Sequence, residues 1–373
     1  MTQIKYYFWL GTTAEWIKMR PLLRLFITNG QEFRLIATGQ NNLLNNQDYV
    51  NAGLPAQTIF LSKRTIKKTL WGLLGWWLVT FFSSIPQLGK IWRAQQRAFL
   101  IVHGDTVSTL MGALLGKFFG LTIVHIEAGL RSFNWWSPFP EEINRFLVSH
   151  LTSLHFAPNA WAVKNLHRLG GIKVNTKQNT LYDSYQSMQF KKGKLSLANQ
   201  VLPAKYFVLV CHRQENLAQK NLLASILALI DKEIPAVWQC VFIVHENTRV
   251  YLQRQNLLKK IQQNKHYIIS SRVDYSLMMS LINQSEFILT DGGSNQEECY
   301  YFGKPCCLLR CCSERIEGLG KNVFLSKNCL PAIANFMCHY QQYRFAPLLS
   351  KHSPSKIIYQ YLINNQESFK HED

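Results

Sequence analysis

Acids and glycines interrupt an otherwise apolar stretch at residues 103 to 145, HGDTVSTLMGALLGKFFGLTIVHIEAGLRSFNWWSPFPEEINR, at positions suited to proton transfer. The run FLIV (99 to 102) reads as a buried parallel strand that ends at His103, Gly104 and Asp105, with a helix starting near Thr106 or Ser108. A second strand, LTIVHIE, ends at Glu127, and Pro140, Glu141 and Glu142 open a further helix with proline and acids where an N-terminus favours them. The carboxyl ends of parallel strands face the ligand crevice of an open α/β sheet, so Asp105, Glu127 and Glu141 are expected to converge there. Each acid alone also reads as a helix cap or a dipole-matching surface group. Together they offer an acid and a base for general catalysis.

The second half of the chain has groups suited to a nucleotide. After the strand EFILT (286 to 290) come Asp291, Gly292, Gly293 and Ser294, then a helix expected from Asn295. Backbone amides and the positive end of that helix suit a diphosphate, and Glu298, one turn in, can accept hydrogen bonds from ribose hydroxyls. A plain helix start remains an equal reading of the glycine turn by itself. His212 and Arg213 end the strand YFVLVC (206 to 211), and His245 follows VFIV (241 to 244). A structural role is the alternative for either histidine.

These residues need parallel sheets to position them. The first half alternates strand 4 to 11, helix 14 to 28, strand 33 to 38, helix near 45 to 51, an apolar crossover, strand 99 to 102, helix 106 to 118, strand 121 to 127, helix 141 to 152 and strand 154 to 157. A polar stretch, 174 to 194, reads as a hinge. Strands 206 to 211, 241 to 244, 267 to 270, 286 to 290 and 306 to 309 follow, with helices 217 to 230, 275 to 283 and 295 to 302, and a last helical segment at 355 to 366. The expected fold is α/β, two Rossmann-like doubly wound domains facing across a cleft, residues 1–173 and 174–373. At 373 residues and 47% hydrophobic content the chain can bury two cores.

Composition narrows the function classes. All nine cysteines follow residue 210 without paired CxxC spacing, so reduced core thiols are expected and no metal or cofactor is called for. IKYYFWLG (4 to 11) runs straight into a helix, so no signal peptide is expected and a cytoplasmic location is. The net charge of +19 is spread over stretches such as SKRTIKK (62 to 68), KIWRAQQR (90 to 97) and FKKGK (190 to 194). No reading helix, RNA platform or zinc module accompanies it, which argues against nucleic acid. An anionic membrane is the better partner for such charge. Residues 70 to 88, LWGLLGWWLVTFFSSIPQL, are uncharged and basic-flanked. They read first as a crossover helix buried in a homodimer interface, second as a peripheral contact with the inner membrane face, and last as a span.

The blocks HGDT, HIEAGLRS and SPFPEEINR, with GTTAEWIKM (11 to 19), CHRQEN (211 to 216), TDGGSNQEECYYFGKP (290 to 305) and SERIE (313 to 317), resemble the non-hydrolysing UDP-N-acetylglucosamine 2-epimerases. The resemblance implies a GT-B-like fold, a last helix (about 355–373) packed back on the first domain, and a role in bacterial surface polysaccharide synthesis. It further implies interconversion of UDP-GlcNAc and UDP-ManNAc. UDP would leave carbon 1 as a base removes the carbon 2 proton, and the glycal would then be re-protonated on the other face as UDP adds back. On this reading Asp105, Glu127, Glu141 and His212 are catalytic. Lys18, Arg213, Gly292, Gly293, Ser294, Glu298 and Arg315 bind the UDP-sugar, and Glu215 matches the family. Crowding is expected to keep at least one carboxyl protonated near neutral pH.

Departures from the pattern are specific. The usual GTRPE reads Gly11, Thr12, Thr13, Ala14, Glu15, which removes a phosphate-binding arginine worth about 1.5 to 3 kcal/mol. After Gln40, Asn41 and Asn42 replace the His and Arg of a regulatory site, which argues against activation by substrate. The alternatives are an epimerase of a modified UDP-acetamido sugar, a membrane-associated GT-B glycosyltransferase, a hydrolysing epimerase and an inactive binding protein. The three acids favour an epimerase over a glycosyltransferase, the acids and His212 argue against an inactive protein, and HIEAGLRS and PEEINR resemble the non-hydrolysing branch.

Overall fold

The structure is a computed structural model that describes residues 5–41, 58–62, 70–93, 98–188, 190, 193–219 and 221–365. The helix expected near 45 to 51 and Asn42 lie outside the described residues. The chain divides into two compact units, residues 1–186 with 351–373, and residues 187–350.

In the first unit, β1 (Lys5–Leu10), β2 (Phe33–Ala37), β3 (Ile59–Phe60), β4 (Ala98–His103), β5 (Thr122–Ile126), β6 (Leu154–Ala157) and β7 (Ile172–Asn175) form a parallel sheet in the order β3-β2-β1-β4-β5-β6-β7. Helices α1 (Thr13–Thr28), α2 (Leu70–Trp92), α3 (Val107–Phe118), α4 (Glu141–Leu151), α5 (Ala160–Asn165) and α6 (Leu181–Gln186) connect or follow these strands. Strand β1 is apolar on both faces because both are covered. Tyr6, Phe8 and Leu10 pack with Trp16 and Phe26 of α1, whereas Tyr7 and Trp9 pack with Trp76 and Trp92 of α2. Burial of each such ring contributes about 1.5–3 kcal/mol. Gly112 of α3 lets that helix lie on Trp9, since a Cβ there would come within 2.8 Å of the indole.

The second unit opens with a hairpin, β8 (Ser196–Leu197) and β9 (Gln200–Val201). It then builds a parallel sheet from β10 (Tyr206–Val210), β11 (Gln239–Ile243), β12 (Tyr267–Ser270), β13 (Ile288–Thr290), β14 (Cys306–Leu308) and β15 (Val323–Leu325), in the order β12-β11-β10-β13-β14-β15. Its helices are α7 (Gln214–Ala218), α8 (Leu222–Glu233), α9 (Glu246–Arg254), α10 (Leu257–Gln263), α11 (Tyr275–Gln284), α12 (Gly293–Phe302) and α13 (Leu330–His339). The single helix expected over 217 to 230 is two, separated where Asn221 takes a left-handed backbone (φ 61°). The chain then returns to the first unit as α14 (Pro354–Asn364), whose Ile358 and Leu362 enter the α1 core while Leu362 O accepts from the Tyr6 hydroxyl at 3.2 Å.

Two expectations shift, and the reading of 70–88 as a crossover helix holds. The first unit runs thirteen residues past a boundary at 173/174, because β7 adds to its sheet and α6 packs beside α1, so only the end of the 174–194 stretch joins the units. Five cysteines are buried, but Cys311, Cys329 and Cys338 are exposed and Cys312 is half-buried. The 70–88 segment is the crossover helix α2, and among the described residues no helix is long and apolar enough to cross a membrane.

Both sheets reverse direction of winding once, between β1 and β4 in the first and between β10 and β13 in the second. At such a switch point the two connections leave in opposite directions and open a crevice at the strand carboxyl ends. Asp105 lies at the first of these, His212 and Asp291 at the second.

Candidate functional site

In the first unit the site starts from Thr12, which caps α1 by accepting from Glu15 N at 3.3 Å. Glu15 Oε2 in return accepts from the amides of Gly11 (2.6 Å) and Thr12 (3.1 Å), completing a capping box. Its other oxygen accepts from the Thr106 hydroxyl at 2.7 Å, tying the β1–α1 turn to the start of α3. Burial pushes the Glu15 carboxyl up to about 7, against the pull of these hydrogen bonds. A carboxyl with raised affinity for a proton, Glu15, thus sits at the start of α1 in addition to the expected trio.

One helical turn on, Lys18 Nζ donates to both oxygens of Glu127 at 2.8 and 2.7 Å, and both side chains are buried. Removing either partner strands a charge in the interior, at a cost of about 3–5 kcal/mol. Glu127 adopts a left-handed backbone (φ 69°), which costs a non-glycine residue about 1–3 kcal/mol. The strain is spent where the carboxylate meets Lys18 and lies 3.4 Å from His103 Nε2. Gly104 is left-handed as well (φ 68°), a backbone conformation that glycine adopts without the cost it carries at Glu127. Burial, opposed by the Glu127 charge, lowers His103 to about 3, so the ring is neutral at physiological pH.

Asp105 has its own cation, Arg145 of α4, held through an ion pair. Arg145 is held from behind by the buried Glu142 at 3.0 Å, which also accepts from Arg131 Nε at 2.5 Å and from the amides of Ser132 (3.0 Å) and Phe133 (3.2 Å). Asn144 donates to Asp105 O at 2.8 Å. The motif PEEINR thus divides its labour. Glu142 and Asn144 anchor the loop and strand end, Arg145 faces Asp105, and Glu141 takes the first position of α4, half-buried. Asp105 and Glu127 each have a cation beside them.

The second unit is organised by Asp291, buried at the end of β13. Its Oδ2 accepts from the amides of His212 and Arg213, both at 2.8 Å, and from Asn216 Nδ2 at 3.2 Å. Its Oδ1 lies 2.9 Å from His212 Nδ1, and its carbonyl accepts from Arg213 Nε at 2.8 Å. Burial alone would raise the Asp291 carboxyl; His212, with the amide and charge of Arg213, outweighs it and holds the group well below the usual carboxylate range. The His212 and His245 rings stack at 4.5 Å, and burial together with that neighbour lowers His245 to about 4. Asp291 aims His212 and Arg213 from the end of β10 toward the glycine turn.

That turn starts its helix two residues earlier than expected, at Gly293, with Gly292 as N-cap. Gly292 N donates to Thr290 Oγ1 at 2.9 Å, while Asn295 bridges to Glu298 at 2.7 Å. A Cβ on Gly293 would lie 2.6 Å from Arg315 and 2.8 Å from Glu314, so only glycine fits over this pair. Arg315 is buried and paired with Glu314 and, at 3.3 Å, with Glu297. It thus lies directly beneath the glycine turn. Ser294 is half-buried in the first turn.

The described structure brings Lys18, Glu127, Asp105 and the start of α4 together in one unit, and His212, Arg213, Gly292, Gly293, Ser294, Glu298 and Arg315 together in the other. Sequence reading missed Glu15, His103, Arg145, Glu142, Asp291 and Asn295 as site residues. The signal for Arg145 was its placement one turn after Glu141. That for Asp291 was an acid directly ahead of two glycines. At the departure from GTRPE, Thr13 begins α1 half-exposed, and Gln40 Oε1 accepts from Ser108 N at 3.2 Å.

A family model described as UDP-N-acetylglucosamine 2-epimerase matches residues 27–333. The chain is 30% identical over 336 residues to a UDP-N-acetylglucosamine 2-epimerase of Methanocaldococcus jannaschii, covering 86% of this chain and 87% of that protein. It is 34% identical over 223 residues to a UDP-2,3-diacetamido-2,3-dideoxy-D-glucuronate 2-epimerase of Pseudomonas aeruginosa, covering 58% and 60%. The crystal structure of UDP-GlcNAc 2-epimerase from Neisseria meningitidis bound to UDP-GlcNAc superposes with a TM-score of 0.77 at 26% identity, covering 97% of this chain and all of that one (100%).

Proposed function

This chain belongs to the UDP-N-acetylglucosamine 2-epimerase family and is a sugar-nucleotide isomerase of GT-B-like fold, and we propose that it inverts carbon 2 of UDP-GlcNAc by eliminating and re-adding UDP. The observation that carries this mechanism is the pair of acids at adjacent strand ends, Asp105 on Arg145 and Glu127 on Lys18. The carbon 2 hydrogen has no neighbouring carbonyl to acidify it. Its removal needs a placed base and concerted departure of a good leaving group. Asp105, Glu127 and Glu141 supply the acid and base functions on the hexosamine ring. His212 and Arg213, aimed by Asp291, stabilise the charge that develops on the diphosphate. The amides of Gly293 and Ser294 at the start of α12 add to that stabilisation.

Glu298 completes the nucleotide side by accepting from the ribose hydroxyls, with Asn295 holding its carboxylate in place at 2.7 Å. Glu298→Ala is expected to weaken UDP binding about tenfold or more, the loss of a charge-assisted hydrogen bond of about 1.5–3 kcal/mol. Titration calorimetry with UDP measures this directly. Unchanged affinity would remove Glu298 from the ribose site.

The mechanism is tested by proton NMR of UDP-GlcNAc incubated with the protein in heavy water. Deuterium is expected at carbon 2, together with the manno epimer. No exchange by a protein that still binds UDP would overturn UDP-GlcNAc as substrate. The identity to the P. aeruginosa protein makes a diacetamido sugar nucleotide the next substrate to try.

A further inference from the structure

A glutamate side chain has much rotamer freedom, and ordering it as a ligand arrives costs affinity. At Glu298 that order is built in beforehand. Asn295, one turn earlier on α12, donates through Nδ2 to Glu298 Oε2 at 2.7 Å. Asn295 Oδ1 in turn accepts from the Thr290 hydroxyl at 3.1 Å, and the Thr290 oxygen accepts from the amide of Gly292 at 2.9 Å. Thr290 and Glu298 are buried and Asn295 is half-buried, so water competes poorly for these bonds. A relay of hydrogen bonds thus runs from the glycine turn to the carboxylate, each donor polarising the next.

The relay calls for asparagine. An ionised carboxylate only accepts, and the Thr290 hydroxyl donates, so residue 295 must present an acceptor on one side and a donor on the other. An amide of this length supplies both. Alanine or leucine supplies neither, and aspartate would set one carboxylate against another. Gly292 is matched to the same side chain. Its backbone, φ −83° and ψ 123°, is open to any residue, yet a Cβ there would lie 2.6 Å from Asn295 Oδ1. The glycine leaves room for the asparagine that folds over it.

We propose that Asn295 sets the preference of this site for a ribose over a 2′-deoxyribose, as a positioning residue that acts through Glu298. The proposal rests on the reading of Glu298 as the ribose ligand. A carboxylate fixed by Asn295 meets two neighbouring hydroxyls in one geometry, so the loss of either hydroxyl is felt. Released from Asn295, it turns to follow whichever hydroxyl is present.

The test is titration calorimetry of the full chain with UDP and with 2′-deoxy-UDP. The wild type is expected to bind UDP about tenfold more tightly, the worth of one hydrogen bond to a charged group. Asn295→Ala is expected to weaken UDP about fivefold and 2′-deoxy-UDP hardly at all, which brings the preference down to about twofold. Asn295→Asp is the second variant. Its adjacent carboxylates come to share a proton as the pH falls, so its UDP affinity relative to the wild type is expected to recover between about pH 8 and 6, a dependence absent from Asn295→Ala.

Glu298→Ala separates the proposal from the reading beneath it. A preference for UDP that survives Glu298→Ala takes Glu298 away from the ribose and overturns the proposal with it, as does a wild type that binds the two nucleotides equally. A preference lost in Glu298→Ala but undiminished in Asn295→Ala keeps Glu298 on the ribose and overturns the role of Asn295 alone. An Asn295→Asp protein whose affinity tracks the wild type at every pH does the same.

Discussion

Asp105→Asn and Glu141→Gln are each expected to cut turnover by about 10²-fold or more and to leave UDP affinity near that of the wild type, as the loss of an acid or base does. In Asp105→Asn the amide keeps the shape of the carboxylate and still accepts one hydrogen bond from Arg145, while it loses the capacity to exchange a proton. UDP affinity is the control because the proposed nucleotide contacts all lie in the other unit, around Asp291 and the Gly293 turn. Glu127→Gln belongs to the same series, with a structural cost attached. It leaves Lys18 buried with no counter-charge, so about 3–5 kcal/mol of stability goes with it, and its melting temperature is measured beside its turnover. Steady-state NMR assays of the variants decide the matter. Near-normal turnover in Asp105→Asn and Glu141→Gln together would sink the acid–base assignment.

A steep loss of stability is expected as the pH falls from 7 to 5. Burial lowers His103 and His155 to about 3, His245 to about 4, and His125 in the same direction. In the unfolded chain each titrates near 6.5, so below that pH the unfolded state binds protons that the native state refuses. The contribution of each is nil above pH 6.5 and grows as the pH falls toward the folded value, to about 2 kcal/mol at pH 5 for each of His103, His155 and His245, with His125 acting in the same sense. Glu15 works in the opposite sense. Its carboxyl, raised to about 7, takes up a proton in the native state first and so stabilises the fold as the pH falls, offsetting about one histidine. The remainder is comparable to the whole stability of an ordinary domain. Thermal melts between pH 7 and 5 measure it, and His155→Leu, buried away from the proposed chemistry in β6, is expected to flatten the slope by about a third. A melting temperature indifferent to pH over this range would show that these histidines do not stay neutral in the fold.

The proposed first-unit site combines strained and paired groups whose roles are separable. Glu127 is set by a left-handed backbone and by Lys18. Asp105 is set by Arg145, and Arg145 by Glu142. In the second unit Asp291 does for His212 and Arg213 what Glu142 does for Arg145, holding a functional side chain through a carboxylate that is itself buried. In both units a buried acid positions the cation, and the cation or its partner meets the substrate in the mechanism proposed here.

The sequence by itself determined the strand–helix alternation, the two parallel sheets and the strand ends at Asp105, Glu127 and His212. These are local matters. Runs such as FLIV and YFVLV can only be buried strands, and glycines, capping residues and acids mark where the chain must leave them. The order of blocks along the chain also sufficed for the family. What the tertiary structure alone decided was which charges meet. Lys18 and Glu127 are 109 residues apart, and Arg213 and Asp291 are 78 apart, so no local pattern could pair them. It raised the Glu15 carboxyl by burial and set Arg315 beneath the glycine turn. Protonation and ion pairing depend on burial and on neighbours a few ångströms away, and those are fixed only when strands distant in sequence lie side by side.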